Sequence, residues 1–203
     1  MTIQYVIDMA RTGELKNLAV KDDTAAIINY ITLGMIELYK RFPIKTKEYI
    51  LALSDNQDIY SLPNDCMWIV AAYDEVPEGS SAVVNVVPIN EEDNPMSLNT
   101  VSWNEVQVPI SVTGAYISII YVSAPDAITV DDIEEEIDIP PQMLEALLHY
   151  IGYRAHGAVE GNIEAGNNTH YQRFEVSCGR IEQKGMLTSD DLDMSARGMK
   201  GFV

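Results

Sequence analysis

The stretch YKRFPIKTKEYILAL, residues 39–53, marks the point where the chain changes from a helical to an extended pattern. Lys40 and Arg41 place two cations where the C-terminal end of a helix dipole favours positive charge. Pro43 disfavours the helical conformation at the residue before it, so a helix should end there. The run Tyr49–Leu53 is apolar and favours a strand. The sequence therefore predicts a helix, a sharp break and then a first strand.

Upstream of this break, the pattern predicts two helices within Met1–Phe42. Thr2 precedes apolar residues at helical spacing, and Gly13 is a stop signal for the first helix. The second helix begins at Asp22–Thr24, which supplies cap candidates and places acids at the positive end of the dipole. One broad stripe of the second helix is apolar and should lie in a core. It consists of Ile27, Ile28, Ile31, Met35, Leu38, Tyr39 and Phe42.

Downstream of the break, the spacing of apolar residues from Ile44 to Val122 falls to a period of about 2. Short β-favouring runs alternate with turn signals, which is typical of a small antiparallel sheet or sandwich. The stretch Asn90–Asn99 holds consecutive acids and a proline and is predicted to be an exposed loop. The predicted strands are residues 49–53, 59–62, 67–73, 83–87, 106–108 and 116–122.

From Ala124 the chain is irregular and acidic before it becomes helical again. Pro141 fits the first turn of a helix, where its missing N–H costs nothing. Asn168 or Thr169 can cap a last helix, which Gly185 ends. Residues 186–203 have no sustained period and are predicted to be an extended arm that orders on binding. Within eight positions of the irregular part lie six acids: Asp131, Asp132, Glu134, Glu135, Glu136 and Asp138.

These patterns predict an α+β fold, mainly α. Helices from both ends of the chain, residues 1–43 and 123–185, should form one helical bundle domain. An antiparallel β module, residues 44–122, is inserted between the second and third helices. Residues 186–203 form the extended C-terminal arm.

Composition excludes several classes of function. The chain has 203 residues, 31 acidic and 13 basic side chains, and a net charge of −18. This balance argues against sequence-specific DNA or RNA binding and against binding to anionic membranes. It still allows a protein that DNA passes without sticking. Cys66 and Cys178 are the two cysteines, and the expectation is two reduced thiols in a protein made in the cytosol.

No motif for catalysis or cofactor binding occurs in the sequence. The P-loop, G-x-G-x-x-G, G-x-S-x-G and H-E-x-x-H patterns are missing. His149 and His156 share a helix face, but two histidines make a poor metal site because zinc takes three or four ligands. His170 is predicted to be solvated. The acidic run lacks the glycine and the spacing of a calcium loop. We therefore predict no cofactor, no metal and no enzymatic activity, with unrecognised catalytic carboxylates as the alternative.

Three segments resemble the head-to-tail adaptor (connector, or head completion) proteins of short-tailed, podovirus-like bacteriophages. The first is Tyr39–Pro43 with the strand that follows it, because such adaptors commonly step from a helix into the β module through an R-F-P-like sequence. The second runs from Ile137-Asp138-Ile139-Pro140-Pro141 into a helix with Tyr153-Arg154-Ala155. The third is His170-Tyr171-Gln172-Arg173-Phe174-Glu175. The three occur in the family's order between residues 22 and 183.

The resemblance implies a structural virion protein that forms a homo-oligomeric ring of twelve under the portal protein. Such a ring extends the DNA ejection channel, so DNA would pass its lumen without sequence-specific binding. The ring would be the platform for the tail nozzle, tail tube or fibre protein. Its place would be the neck of the virion, between capsid and tail, after assembly in the host cytoplasm, with no membrane involved.

The resemblance also assigns candidate site residues. The C-terminal arm would bind the portal through its apolar side chains Leu187, Leu192, Met194 and Phe202. The six acids Asp131, Asp132, Glu134, Glu135, Glu136 and Asp138 would line the channel, or else form a solvated outer face. The candidate ring-interface helix presents His149, Tyr153, Arg154 and His156.

Two other readings remain open. The β module could be a tail, receptor- or carbohydrate-binding part of a virion, with Trp68, Trp103 and tyrosines as stacking platforms. The chain could also be a neck protein of a longer-tailed phage, since both kinds of protein use small helical rings.

Overall fold

The computed structural model describes residues 1–55, 57–75, 85–109, 112, 115–160 and 168–184. The chain divides into two compact units. The helical unit holds Met1–Ile44 and the described residues from Pro125 to Lys184. The β unit holds the described residues of Lys45–Ala124. The prediction of an α+β fold, mainly α, is confirmed.

The helical unit contains α1 (Ile3–Thr12), α2 (Thr24–Arg41), α3 (Leu144–Glu160) and α4 (Thr169–Gln183). Their starts follow the local chemistry that the sequence predicts. The Thr2 side chain accepts a hydrogen bond from the Tyr5 amide, and Asp23 accepts one from Ala26. Asn168 accepts from the first amides of α4. Side-chain caps of this kind satisfy amide groups that have no partner inside the helix.

The core of the helical unit lies around α3, which packs against α1, α2 and α4. Every member of the predicted apolar stripe of α2 is buried, with Ile27, Ile31, Leu38 and Tyr39 completely inaccessible. Between α3 and α4 the rings of Tyr150, Tyr153, Tyr171 and Phe174 meet edge to face or tilted, with centroids 5.0–5.8 Å apart. The predicted helical periodicity therefore selects the right core face.

The β unit forms two antiparallel sheets from its described residues. The first has the order β1-β7-β3-β4 and the second β2-β6-β5. Leu51, Ala72, Ile117 and Ile119 of the first sheet share one buried cluster with residues of the second, including Val106. The strands are β1 (Thr46–Ala52), β2 (Ile59–Ser61), β3 (Cys66–Glu75), β4 (Asn85–Val86), β5 (Asn99–Ser102), β6 (Glu105–Gln107) and β7 (Tyr116–Ser123).

The predicted exposed loop Asn90–Asn99 is wrong at its C-terminal end. Leu98 is completely buried and Ser97 is 2% exposed, and Asn99 begins strand β5. A single leucine after a run of acids gives no periodic signal, yet it packs into the core of the β unit. The sequence pattern does not predict β5 either, because its composition does not favour a strand. Its hydrogen-bonded pairing with β6 makes it one.

Candidate assembly surfaces

The Tyr39–Pro43 motif, on which the first resemblance rests, joins three parts of the helical unit. The Tyr39 hydroxyl donates a 2.7 Å hydrogen bond to the Asp138 carbonyl oxygen. Phe42 is 1% exposed. Arg41, the last residue of α2, reaches the carboxylates of α4. The motif therefore fixes the end of α2 to the segment around Asp138 and to α4.

Arg41 holds two carboxylates at once. Its Nε and Nη2 donate to the two oxygens of Glu182 at 2.6 and 3.2 Å, and Nη1 donates to Glu175 at 2.7 Å. The fork with Glu182 raises the pKa of Arg41 further and lowers the pKa of Glu182. Only the planar guanidinium can form this paired arrangement.

Replacing Arg41 with lysine should lower the free energy of unfolding by about 1 kcal/mol, because an ammonium cannot bind both carboxylates in this geometry. The matched control is Lys40→Ala. Lys40 makes a pair with Glu37 three residues away on the exposed helix face, so its loss should change stability by under about 0.5 kcal/mol. Urea unfolding followed by far-UV circular dichroism measures both. Equal effects at the two positions would show that Arg41 does not hold α4.

The acidic run is anchored by its backbone, and its acidic side chains point outward. Ile3 and Gln4 donate backbone hydrogen bonds to Glu135 and Ile133 at 3.0 and 2.7 Å. The interleaved Ile137 and Ile139 are 6% and 7% exposed. The result is a fixed, strongly negative surface, the acidic ridge, which consists of Asp131, Asp132, Glu134, Glu135, Glu136 and Asp138.

The acids of the ridge differ in the partners that the structure describes for them. Asp132 accepts from the Thr129 amide and hydroxyl at 2.7 Å, which lowers its pKa. Glu136 lies 3.3 Å from the Met1 amino group. Asp131, Glu134 and Glu135 are exposed and have no cationic partner among the described residues. The channel-lining role of the ridge stays a prediction.

The candidate ring-interface helix, α3, places its predicted residues in different surroundings. Tyr153 is 6% exposed and packs on Tyr150 and Tyr171 within the unit. Arg154 is partly exposed. His149 and His156 enter a cluster that the sequence did not predict. The ring-interface role of this helix stays a prediction.

The histidine cluster is built around Glu14, which follows α1. Its carboxylate lies 3.3 Å from His149 Nδ1 and 2.9 Å from His170 Nδ1, and its backbone carbonyl accepts a 3.1 Å hydrogen bond from His156 Nε2. The rings of His156 and His170 stack at 4.4 Å. His170 is therefore 20% exposed rather than solvated as expected. A Cβ at Gly152 would lie 2.8 Å from His170 Nδ1, so the cluster depends on a glycine there.

The surroundings of His170 decide its protonation state. Among the described residues, no three His, Cys, Asp or Glu side chains are placed to share a metal ion. Burial lowers the pKa of His170 from its ordinary value of 6.5, although Glu14 acts in the opposite direction. His156, His149 and Arg173 lower this pKa further. The folded chain therefore favours neutral His170.

This arrangement predicts that the helical unit loses stability on acidification. Unfolded His170 binds a proton at a higher pH than folded His170, so the unfolding free energy should fall as the pH drops below about 6.5, by at most about 1.4 kcal/mol per pH unit for one proton. His170→Gln should make the dependence between about pH 7 and 5.5 shallower. Urea unfolding at stepped pH measures both slopes. Parallel curves for the two proteins would contradict the assignment.

Among the described residues of the β unit, Trp103 is the most exposed aromatic. Trp103, in the turn between β5 and β6, is 72% exposed, and Val101 and Ile59 in the same sheet are 46% and 47% exposed. Trp68 is instead half-buried in β3.

Burial raises the pKa of the Cys66 thiol to about 11, so this residue is not a thiolate nucleophile at neutral pH.

The remaining predicted site residues belong to the C-terminal arm. Leu187, Leu192, Met194 and Phe202 of the arm lie outside the described residues. Among the helices of the described chain, none has the length and apolar character needed to cross a membrane.

Comparison with known proteins identifies the family to which the chain belongs. No curated protein matches the chain. The family model described as SU10 adaptor protein matches residues 1–198, which is nearly the whole chain. The chain therefore belongs to the SU10 adaptor protein family, structural proteins of the bacteriophage virion that act at the junction of head and tail.

Proposed function

We propose that this chain forms the head-to-tail adaptor ring of a short-tailed phage, docked under the portal protein. The family match over residues 1–198 carries the proposal. Ring formation, the count of twelve and the short-tailed type of phage are what the resemblance of Tyr39–Pro43 and the later segments implies. In this role the protein works by assembly and not by turnover.

The charge of the chain fits a channel for DNA. Twelve copies with a net charge of −18 each give a ring of roughly −200, which repels the DNA phosphates. Same-sign repulsion keeps DNA mobile in the lumen and does not depend on base sequence. The neck between capsid and tail is the proposed place, with the portal above and the tail nozzle, tail tube or fibre protein below, and the host cytoplasm as the site of assembly.

The test is to mix the purified chain with the portal protein from the same genome and to image the mixture by negative-stain electron microscopy. A ring capping the tail-side end of the portal is the expected result. The chain alone is the control. Compact single subunits in both samples would overturn the proposal.

A second candidate rests on Trp103. An exposed tryptophan beside exposed Val101 can serve as a stacking surface for a sugar or a receptor. Binding of a glycan would quench the tryptophan fluorescence of the wild type, and Trp103→Ala would remove the response. Unchanged fluorescence across a glycan panel would leave the β unit without this role.

A further inference from the structure

A groove of about 490 Å³ runs between α3 and α4 on the surface of the helical unit. Arg173, Val176 and Arg180 of α4 form one wall, and His149 and Glu145 of α3 contribute to the other. Glu145 lies 3.7 Å from His149 Nε2. The wall on α4 is therefore the cationic side of the groove.

The two arginines of this wall have no carboxylate partner in the part of the chain that the structure describes. Arg173 and Arg180 are exposed, and among the described residues neither forms an ion pair. They lie seven positions apart and so on the same helix face, with Val176 between them at 53% exposure. In a chain with 31 acids and 13 bases, two unpaired arginines that flank an exposed apolar residue are suited to a partner of opposite charge.

The same unit carries a patch of the complementary kind. Val130 is 50% exposed at the start of the acidic ridge. Asp131, Glu134 and Glu135 beside it are exposed and lack a cationic partner among the described residues. Backbone hydrogen bonds to Ile3 and Gln4 hold this segment in place. Little order has to be gained when it binds, which favours association.

We propose that the α3–α4 groove of one copy receives residues 130–135 of a neighbouring copy. Val130 would lie against Val176, with Asp131 and Glu134 opposite Arg173 and Arg180. The two patches share no residue and belong to different elements, so every copy can present both. Such a head-to-tail contact generates a ring when its rotation closes. The inference rests on the proposed function and names the contact that builds the ring.

Each contact is weak by itself. Exposed ion pairs contribute little singly, and one pair of valines buries a small apolar area. Repetition around a ring makes the contact lasting, and the charges mainly select partner and register. Residues 130–135 then lie at the boundary between subunits. Glu136 and Asp138 lie outside this contact and stay available to face the lumen.

Charge reversal tests the pairing directly. R173E/R180E and D131K/E134K should each abolish rings on the portal, because like charges then meet at every boundary. In an equimolar mixture of the two variants, each groove finds a ridge of opposite charge in the other variant. A ring of twelve allows strict alternation, so the mixture should restore rings. Self-association in analytical ultracentrifugation should fall about tenfold for each variant alone and recover on mixing.

Controls separate this pairing from net charge and from the adaptor role. K16E/K40E and E92K/D93K change the charge by the same amounts at exposed positions that belong to neither patch, and should form rings. Circular dichroism checks that each variant is folded. The neutral R173Q/R180Q should lose ring formation only in part. If wild type forms no ring on the portal, the proposed function fails. If wild type forms rings and R173E/R180E does too, or if mixing fails to restore them, the pairing is wrong while the adaptor role stands.

Discussion

Replacing Gly34 with valine is expected to lower the free energy of unfolding of the helical unit by about 3 kcal/mol. Gly34 lies in the middle of α2, where it is buried against α3. A Cβ at this position would lie 2.6 Å from Leu147 Cδ1 and 3.1 Å from Tyr150 Cδ1. Leu147 is completely buried and Tyr150 is 6% exposed, so neither side chain has free space to move into. Urea unfolding followed by far-UV circular dichroism measures the change.

Gly179 of α4 offers the matched control. A Cβ there meets nothing within 4 Å, so Gly179→Ala should stabilise the protein by up to about 1 kcal/mol through helix propensity, and Gly179→Val should be close to neutral. Gly34→Val combined with Leu147→Ala should be less destabilised than the sum of the two single variants, because alanine vacates the space that valine needs. Additive effects, or a stable Gly34→Val, would show that α2 and α3 do not approach this closely.

The parts of the fold that the sequence predicted are those with a local cause. Thr2, Asp23 and Asn168 cap helices through the next few amides, and Pro43 acts on the residue before it. The stripe of α2 is seven apolar residues long, which is enough to define a helix face. Strand β5 has no such cause, because it depends on its ladder with β6. At β5, pairing with the neighbouring strand outweighs the low intrinsic strand propensity of its residues.

The candidate site shows the same division. The Tyr39–Pro43 motif could be singled out from sequence, but its contacts with Asp138 and with Glu182 of α4 are known only from the fold. Glu14 gave no signal, since it lies far along the chain from the histidines it contacts. Both histidines of α3 were recognised as sharing a face, and folding brings His170 to the same face. A cluster of charged side chains forms only when the chain folds. The sequence shows which charged residues exist, but not which of them lie together.

Deleting residues 186–203 is expected to abolish docking on the portal and to leave the subunit folded. Helix α4 ends at Gln183, before the deleted segment, and its last buried residue is Ile181. The melting temperature should therefore stay within about 2 °C of wild type. The docking free energy should be lost, because the proposed contacts come from Leu187, Leu192, Met194 and Phe202. Negative-stain images of truncated chain with portal measure docking, and circular dichroism measures folding.

Three further variants separate the apolar side chains from the length of the arm. Replacing residues 186–203 with a Gly/Ser segment of equal length keeps the reach but removes the apolar contacts, and it should fail to dock like the truncation. Replacing the four apolar residues with serine should fail as well. A single Leu192→Ser should already release rings faster, because a small loss per subunit is repeated at every subunit of the proposed ring. Docking by the Gly/Ser chain would place the portal contact elsewhere, on the described units themselves.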